Sequence, residues 1–207
     1  MIIQETQRKK AITDIKEIIA KGGPTESEYE QLENALVILK GQFQTDTFSL
    51  EMAELLEGCG FLNDTSSIMG HIKMKPHGYA GDFEIIERIY QDTTVNSRYD
   101  LWDTYSLQHP AARAVRNRKQ YFKTLITQKL EKYKTLKLLN VASGPARDLY
   151  EVYKSEKTSG ILKTTCVEMD PDAVAFAKKL TMPFASQIQF INKNIFRYTA
   201  SEEYDLI

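Results

Sequence analysis

Cysteine is almost absent from this chain. Only Cys59 and Cys166 occur in 207 residues, neither in a CxxC pair, which excludes a disulfide framework. Histidine is nearly as scarce, with three residues and no metal-ligand spacing, so no zinc signature is present. No apolar run approaches the roughly 20 residues that a membrane-spanning helix needs. The opening MIIQETQRKK has too few apolar residues for the core of a secretory signal. A formal net charge of −1 leaves no overall field to draw the chain to nucleic acid or to an anionic membrane. Repeats and low-complexity tracts are missing as well. These absences lead to the expectation of a soluble protein of a reducing compartment, the cytoplasm, whose 42% apolar residues can bury a real core.

Charge is uneven locally. Glu26 to Glu57 carries eight acids against Lys40 alone, and Pro110 to Lys137 carries nine Lys or Arg against Glu131 alone. Two solvated helical faces of opposite sign explain both runs. A basic face for an anionic substrate or carrier is the sharper alternative. Nucleic-acid methylation would rest on the basic run by itself and is not expected.

The first half reads as helices. Ala11, Ile12, Ile15, Ile18 and Ile19 recur at helical spacing until Gly22-Gly23-Pro24 stops them. Thr25 with Glu28 fits a capping box ahead of the stripe Tyr29, Leu32, Leu36, Leu39. A third helix is expected from about Thr47 to Glu57, then an irregular segment from Leu62 to Ala80. Asp82 can cap a short helix bearing Phe83, Ile86 and Ile89. Trp102 and Tyr105 are expected in the core. Pro110 opens a long helix with the stripe Val115, Phe122, Ile126, Leu130, Tyr133.

After Lys134 the period changes. Strands are expected at Leu136 to Ala142, Leu162 to Glu168 and Ile188 to Asn192, with a fourth starting at Tyr204. Helices from Pro145 to about Lys154 and from Asp172 to Leu180 lie between them. This alternation means a parallel α/β sheet. The division follows: a helical region over residues 1–134 and a sheet-bearing domain over 135–207.

Three junctions carry chemistry. The first strand ends at Asn140-Val141-Ala142 and turns through Ser143-Gly144-Pro145-Ala146, where small side chains let the backbone touch a ligand. A helix started by Pro145 would point N–H groups at an anion. The second strand ends in Glu168-Met169-Asp170-Pro171, where Glu168 can accept hydrogen bonds from two ribose hydroxyls and Asp170 fits a helix cap. The third ends in Asn192-Lys193-Asn194-Ile195-Phe196, where Asn194 can face an exocyclic amine and Ile195 a flat ring. A dinucleotide site would want GxGxxG and an acid about 20 residues on. Only Gly144 remains of those glycines, and the interval is longer.

The order LLNVASGPARDL, CVEMDP, INKNIF, EEYDLI resembles the class I S-adenosylmethionine-dependent methyltransferases over Leu136 to Ile207. The resemblance implies a Rossmann-like sheet preceded by a helical N-terminal region, with S-adenosyl-L-methionine as cofactor. Ala142, Ser143 and Gly144 would line the methionine end, Glu168 with neighbouring Met169 the ribose, and Asn194 with Ile195 the adenine. The family has an acid where Asn140 stands and glycines where Ala142 and Ala146 stand. Asn140 keeps an amide oxygen for the ligand's ammonium but loses the charge attraction. Because the family's sheet has seven strands, the ending EEYDLI implies a fragment lacking about 60 to 80 residues, with an unfinished edge open to self-association.

KPHGYAGDF (Lys75 to Phe83), with AVRNR (Ala114 to Arg118), is similar to a segment of bacterial proteins that make the methyl ester of 3-hydroxypalmitic acid. That likeness implies a lid presenting Tyr79, His77 or Asp82 to a small-molecule acceptor, a fatty acid or an acyl carrier. A carboxylate acceptor needs only a cationic cradle, for which Lys75, Arg116 and Arg118 are candidates. A hydroxyl or amine acceptor needs a base, His77 or Asp82. The alternative from another class is a non-catalytic module whose helices mediate partner contacts.

Overall fold

A computed structural model describes residues 2–40, 46–94, 97–155 and 160–207. The chain divides into two compact units, Met1–Ala80 with Asp92–Ala112, and Gly81–Gln91 with Arg113–Ile207. It is mixed α/β, as expected, with a small parallel sheet. Among the described residues no helix is long and apolar enough to cross a membrane.

The first unit is helical: α1 (Ile2–Ala20), α2 (Tyr29–Lys40), α3 (Asp46–Gly58), α4 (Ile68–Met74) and α6 (Asp100–Gln108). Its core gathers the α1 face Ala11, Ile12, Ile15 and Ile18 with Leu32, Ala35 and Leu39 of α2, and Phe61 stacks on Trp102 at 4.1 Å between ring centres. Leu36, expected on the buried stripe, is exposed, because Ala35 takes the inward position one residue earlier. The segment expected to be irregular contains α4. Ser67 caps it by accepting from the Gly70 amide at 2.9 Å, and Asp103 Oδ1 accepts from the Ile68 amide at 2.8 Å.

The second unit holds α5 (Phe83–Gln91), α7 (Pro110–Leu130, entering from the first unit), β1 (Leu136–Val141), α8 (Arg147–Tyr153), β2 (Leu162–Glu168), α9 (Pro171–Leu180) and β3 (Ile188–Asn192). The strands pair in parallel in the order β1-β2-β3, with Leu138 opposite Thr164 and Thr164 opposite Ile188. Ile126, Leu136, Leu138, Leu149 and Leu162 fill the core beneath them, each side chain gaining about 1.5–3 kcal/mol from burial. Tyr133, expected on the α7 stripe, lies beyond the helix end and is exposed.

The expected fourth strand appears as one parallel bridge, Leu206 to Leu138. The Leu136 and Ala142 amides donate toward β2, to Ile161 O and Val167 O, whereas the Leu139 amide donates to Leu206 O at 2.9 Å. The final segment therefore runs along the opposite edge of β1 from β2. Strand order reverses at β1.

The compact units do not follow a break at residues 134 and 135. The helix 83–91 and most of α7 belong with the sheet. Phe83 packs on Phe176 of α9 with ring centres 5.5 Å apart, and Glu87 pairs with Arg147 of α8. Neither partnership has a local signature in the sequence.

Candidate functional site

In open α/β sheets, ligands bind beyond the carboxyl ends of the strands where the order reverses. Here that point is the turn after β1. Ala142, Gly144 and Ala146 all take left-handed backbone at φ 52°, and the Ala146 amide donates to Ser143 O at 3.1 Å to close the turn. This corrects the expected helix start. Pro145 lies inside the turn, and the left-handed Ala146 delays α8 to Arg147. A Cβ built on Gly144 meets no atom within 4 Å, so the turn opens onto free space.

Glu168 ends β2 beside this turn. Its Oε2 accepts from the Gly144 amide at 2.9 Å, and its Oε1 accepts from the amides of Met169 at 2.7 Å and Asp170 at 3.0 Å. A carboxylate offers about four acceptor positions, so these three bonds fix its direction and leave capacity for a ligand hydroxyl. Asp170 serves as the cap of α9, accepting from Asp172 at 2.9 Å, with Pro171 as the first helical residue. That matches the expectation for it.

Two polar atoms at the β1 end stand unsatisfied. Asn140 Nδ2 and Ser143 Oγ are buried and have no hydrogen-bond partner among the described residues. The Ser143 hydroxyl lies near enough to the Cys166 thiol to offset a little of the burial that pushes that thiol far up, without completing a hydrogen bond. Buried polar groups are normally paired, so two orphans at the end of β1 call for an outside partner.

The third strand contributes less directly. Asn194 Oδ1 accepts from the Phe196 amide at 2.9 Å and so shapes its own turn; Ile195 is half-buried. Met169 and Phe196 are exposed, at 65% and 94%. Sequence reasoning missed Asn192, whose Nδ2 donates to Glu168 O at 3.0 Å and Met169 O at 2.9 Å and ties the tip of β3 to that of β2. A polar residue closing an apolar strand is its only signal.

The expected acceptor residues are distributed between the units. Lys75 ends α4 in left-handed conformation at φ 50°, its amide donating to His71 O. The rings of His77 and His71 are 6.3 Å apart, and Tyr79 is exposed. Asp82 belongs to the second unit, is fully buried, and accepts from the amides of Glu84 and Ile85 at 3.1 and 3.0 Å. Those bonds make it the cap of α5. Arg116 is half-buried on α7, and the Arg118 guanidinium donates to the Tyr90 hydroxyl at 3.2 Å. Burial raises Asp148, with nearby Arg118 opposing the shift. Burial would also raise Glu151, but Lys119 and Lys123, at 2.8 and 2.7 Å, hold it low. Among the described residues no cluster of His, Cys, Asp and Glu could hold a metal ion.

Comparisons with known proteins add little. No protein-family model matches the chain, and no curated protein matches it. A solved structure described as a "possible exported protein" from Bordetella parapertussis aligns with 98% of this chain and 59% of its own, at 15% identity and a TM-score of 0.49. This chain thus spans about three-fifths of that one. A likeness so distant carries no argument about fold or activity.

Proposed function

We propose that the second unit is the cofactor half of a Rossmann-like methyltransferase, binding S-adenosyl-L-methionine for methyl transfer to a small molecule. A fatty-acid-type carboxylate is the leading acceptor. The observation that carries the reading is the bond from the Gly144 amide to Glu168 Oε2, made beside β1 where strand order reverses.

The residues present fit an adenosyl amino acid. Glu168 offers a carboxylate to a ribose diol. The orphaned Asn140 amide and Ser143 hydroxyl would meet the amino-acid end, and the space over Gly144 gives backbone access. Asn194 and Ile195 would border the adenine. The cofactor supplies an electrophilic methyl group on a sulfonium. What remains for the chain is to bind, to orient an acceptor in line and to exclude water. A carboxylate acceptor requires no proton removal, so Arg116 or Arg118 would act as its cradle. Asp82 is poorly placed as a base for any other acceptor, because its buried carboxylate is engaged in capping α5.

Titration calorimetry with S-adenosylmethionine and S-adenosylhomocysteine tests the reading. Micromolar binding is expected, weakened at least about tenfold by Glu168→Gln, which loses the charge-assisted bond to a ribose hydroxyl. No heat with either compound at millimolar concentration would end the proposal. Transfer of labelled methyl to a fatty-acid pool tests the acceptor separately.

A further inference from the structure

The turn after β1 is an unfavourable piece of backbone. Two alanines in it hold left-handed dihedrals that non-glycine residues avoid, and such conformations persist only where the surroundings over-determine them. Glu168 restrains the turn at Gly144. On its far side the restraint comes from outside the sheet. Arg147, the first residue of α8, gives Glu87 a forked pair: Nε donates to Oε1 at 2.9 Å and to Oε2 at 3.2 Å, and Nη2 also donates to Oε1. Glu87 is almost fully buried, its Oε1 also takes a bond from Gln91, and the Arg147 guanidinium lies over the Tyr150 ring at 5.4 Å. The pair raises Arg147 further above its ordinary value.

We infer that Glu87 is a positioning residue for this ligand site, reaching it from sixty positions upstream through Arg147. Its helix is fastened for that task. Phe83 packs on Phe176 of α9, and the Tyr90 carbonyl accepts from Lys119 of α7 at 2.8 Å, so Glu87 is presented from a backbone held at both ends. A planar guanidinium gripped by two oxygens fixes direction as well as distance. With Arg147 fixed, the turn from Ala142 to Ala146 has one path, and Gly144 N–H and the Asn140 and Ser143 side chains keep their aim. Without it, the strained alanines can relax and the aim is lost.

The binding arm of this inference rests on the adenosyl-site reading; a second arm does not. Amide hydrogen exchange of residues 142–148 is measured in the ligand-free full chain as wild type, Glu87→Gln and Glu87→Asp. Exchange across the turn should rise at least tenfold in Glu87→Gln, less in Glu87→Asp, while β2 and β3 keep wild-type protection. S-adenosylhomocysteine should bind about 10- to 100-fold more weakly to Glu87→Gln, with the aspartate variant between. If Glu87→Gln does not fold, Glu87→Asp and Arg147→Lys carry the comparison. Wild-type exchange across the turn in a folded variant overturns the inference, as does a general rise with no focus on it. Wild-type affinity of Glu87→Gln for a ligand that the parent binds also overturns it. If the parent binds no ligand, the function proposed above fails, and exchange alone decides the role of Glu87.

Discussion

Ala142 and Ala146 hold the same left-handed dihedral, φ 52°, on the two sides of Gly144, yet Ala142 is exposed and Ala146 fully buried. The strain is shared and the packing is not. Replacing Ala142 by glycine relieves the clash of Cβ with backbone and forfeits little burial, so it should stabilise the protein by about 0.5–1 kcal/mol. At Ala146 the same relief is offset by the loss of a core methyl, worth about 0.8 kcal/mol, and the change should be close to neutral. Urea denaturation of the two variants checks the pair. Equal effects at both positions would mean that strain or burial has been misassigned.

The sequence marks Gly70 only as part of a loop, and the structure makes it a contact. A Cβ there would meet Asp64 O at 2.0 Å and Phe61 O at 2.5 Å, both backbone atoms. Backbone cannot yield as a side-chain tip can, so Gly70→Ala should cost about 3 kcal/mol or more and lower the melting temperature by about 10 °C or more. A shift of only a degree or two would show that α4 docks less closely against that turn.

What the sequence makes legible follows a physical line. The spans of β2 and β3 can be read to the residue, since apolar and β-branched runs bounded by turn residues are local signals. So can the cap at Asp170, where an acid precedes Pro171. Glu168 and Gly144, both singled out in the sequence, are joined by a hydrogen bond in the structure. The helix at 68–74 escapes such reading because Ser67 and Asp103 organise it, the latter from thirty-five positions away. The helix at 83–91 is legible, but its allegiance to the sheet is not, because the Glu87–Arg147 and Phe83–Phe176 contacts join distant residues. Local pattern determines elements; distant pairs determine which unit an element joins.

Asp148 gives a test by pH. Burial raises its carboxyl in the folded state, so the folded chain binds a proton more readily there than the unfolded chain does. Between the unfolded value and the raised folded one, stability falls as pH increases, and above the folded value the full cost of the buried charge is present. Asn at this position removes the charge and keeps the oxygen that accepts from the Leu149 amide. Asp148→Asn should therefore raise the melting temperature at pH 7 and leave it nearly unchanged at about pH 3, where the wild-type carboxyl is largely protonated in both states. A gain of the same size at both pH values would assign the effect to packing instead.

Asn140 offers the sharpest division between architecture and ligand chemistry. Its Nδ2 is buried at the end of β1 without a partner among the described residues. A carboxylate differs from this amide in charge but hardly in size, so the two consequences of Asn140→Asp can be separated. In the ligand-free protein the new charge is buried where the orphaned amide now lies. The folded state should lose about 1–3 kcal/mol at neutral pH, recovering as the group is protonated in acid. A ligand ammonium would face the amide oxygen rather than the Nδ2 donor, and there the carboxylate gains a charge-assisted bond, so S-adenosylmethionine should bind about tenfold more tightly. Stability and affinity then move in opposite directions, an outcome that general damage to the fold cannot produce. Calorimetry at neutral pH beside denaturation from acid to neutral pH reads both. If Asn140→Asp weakens binding as well as the fold, the methionine end does not lie at the tip of β1, and the orphaned amide serves another partner.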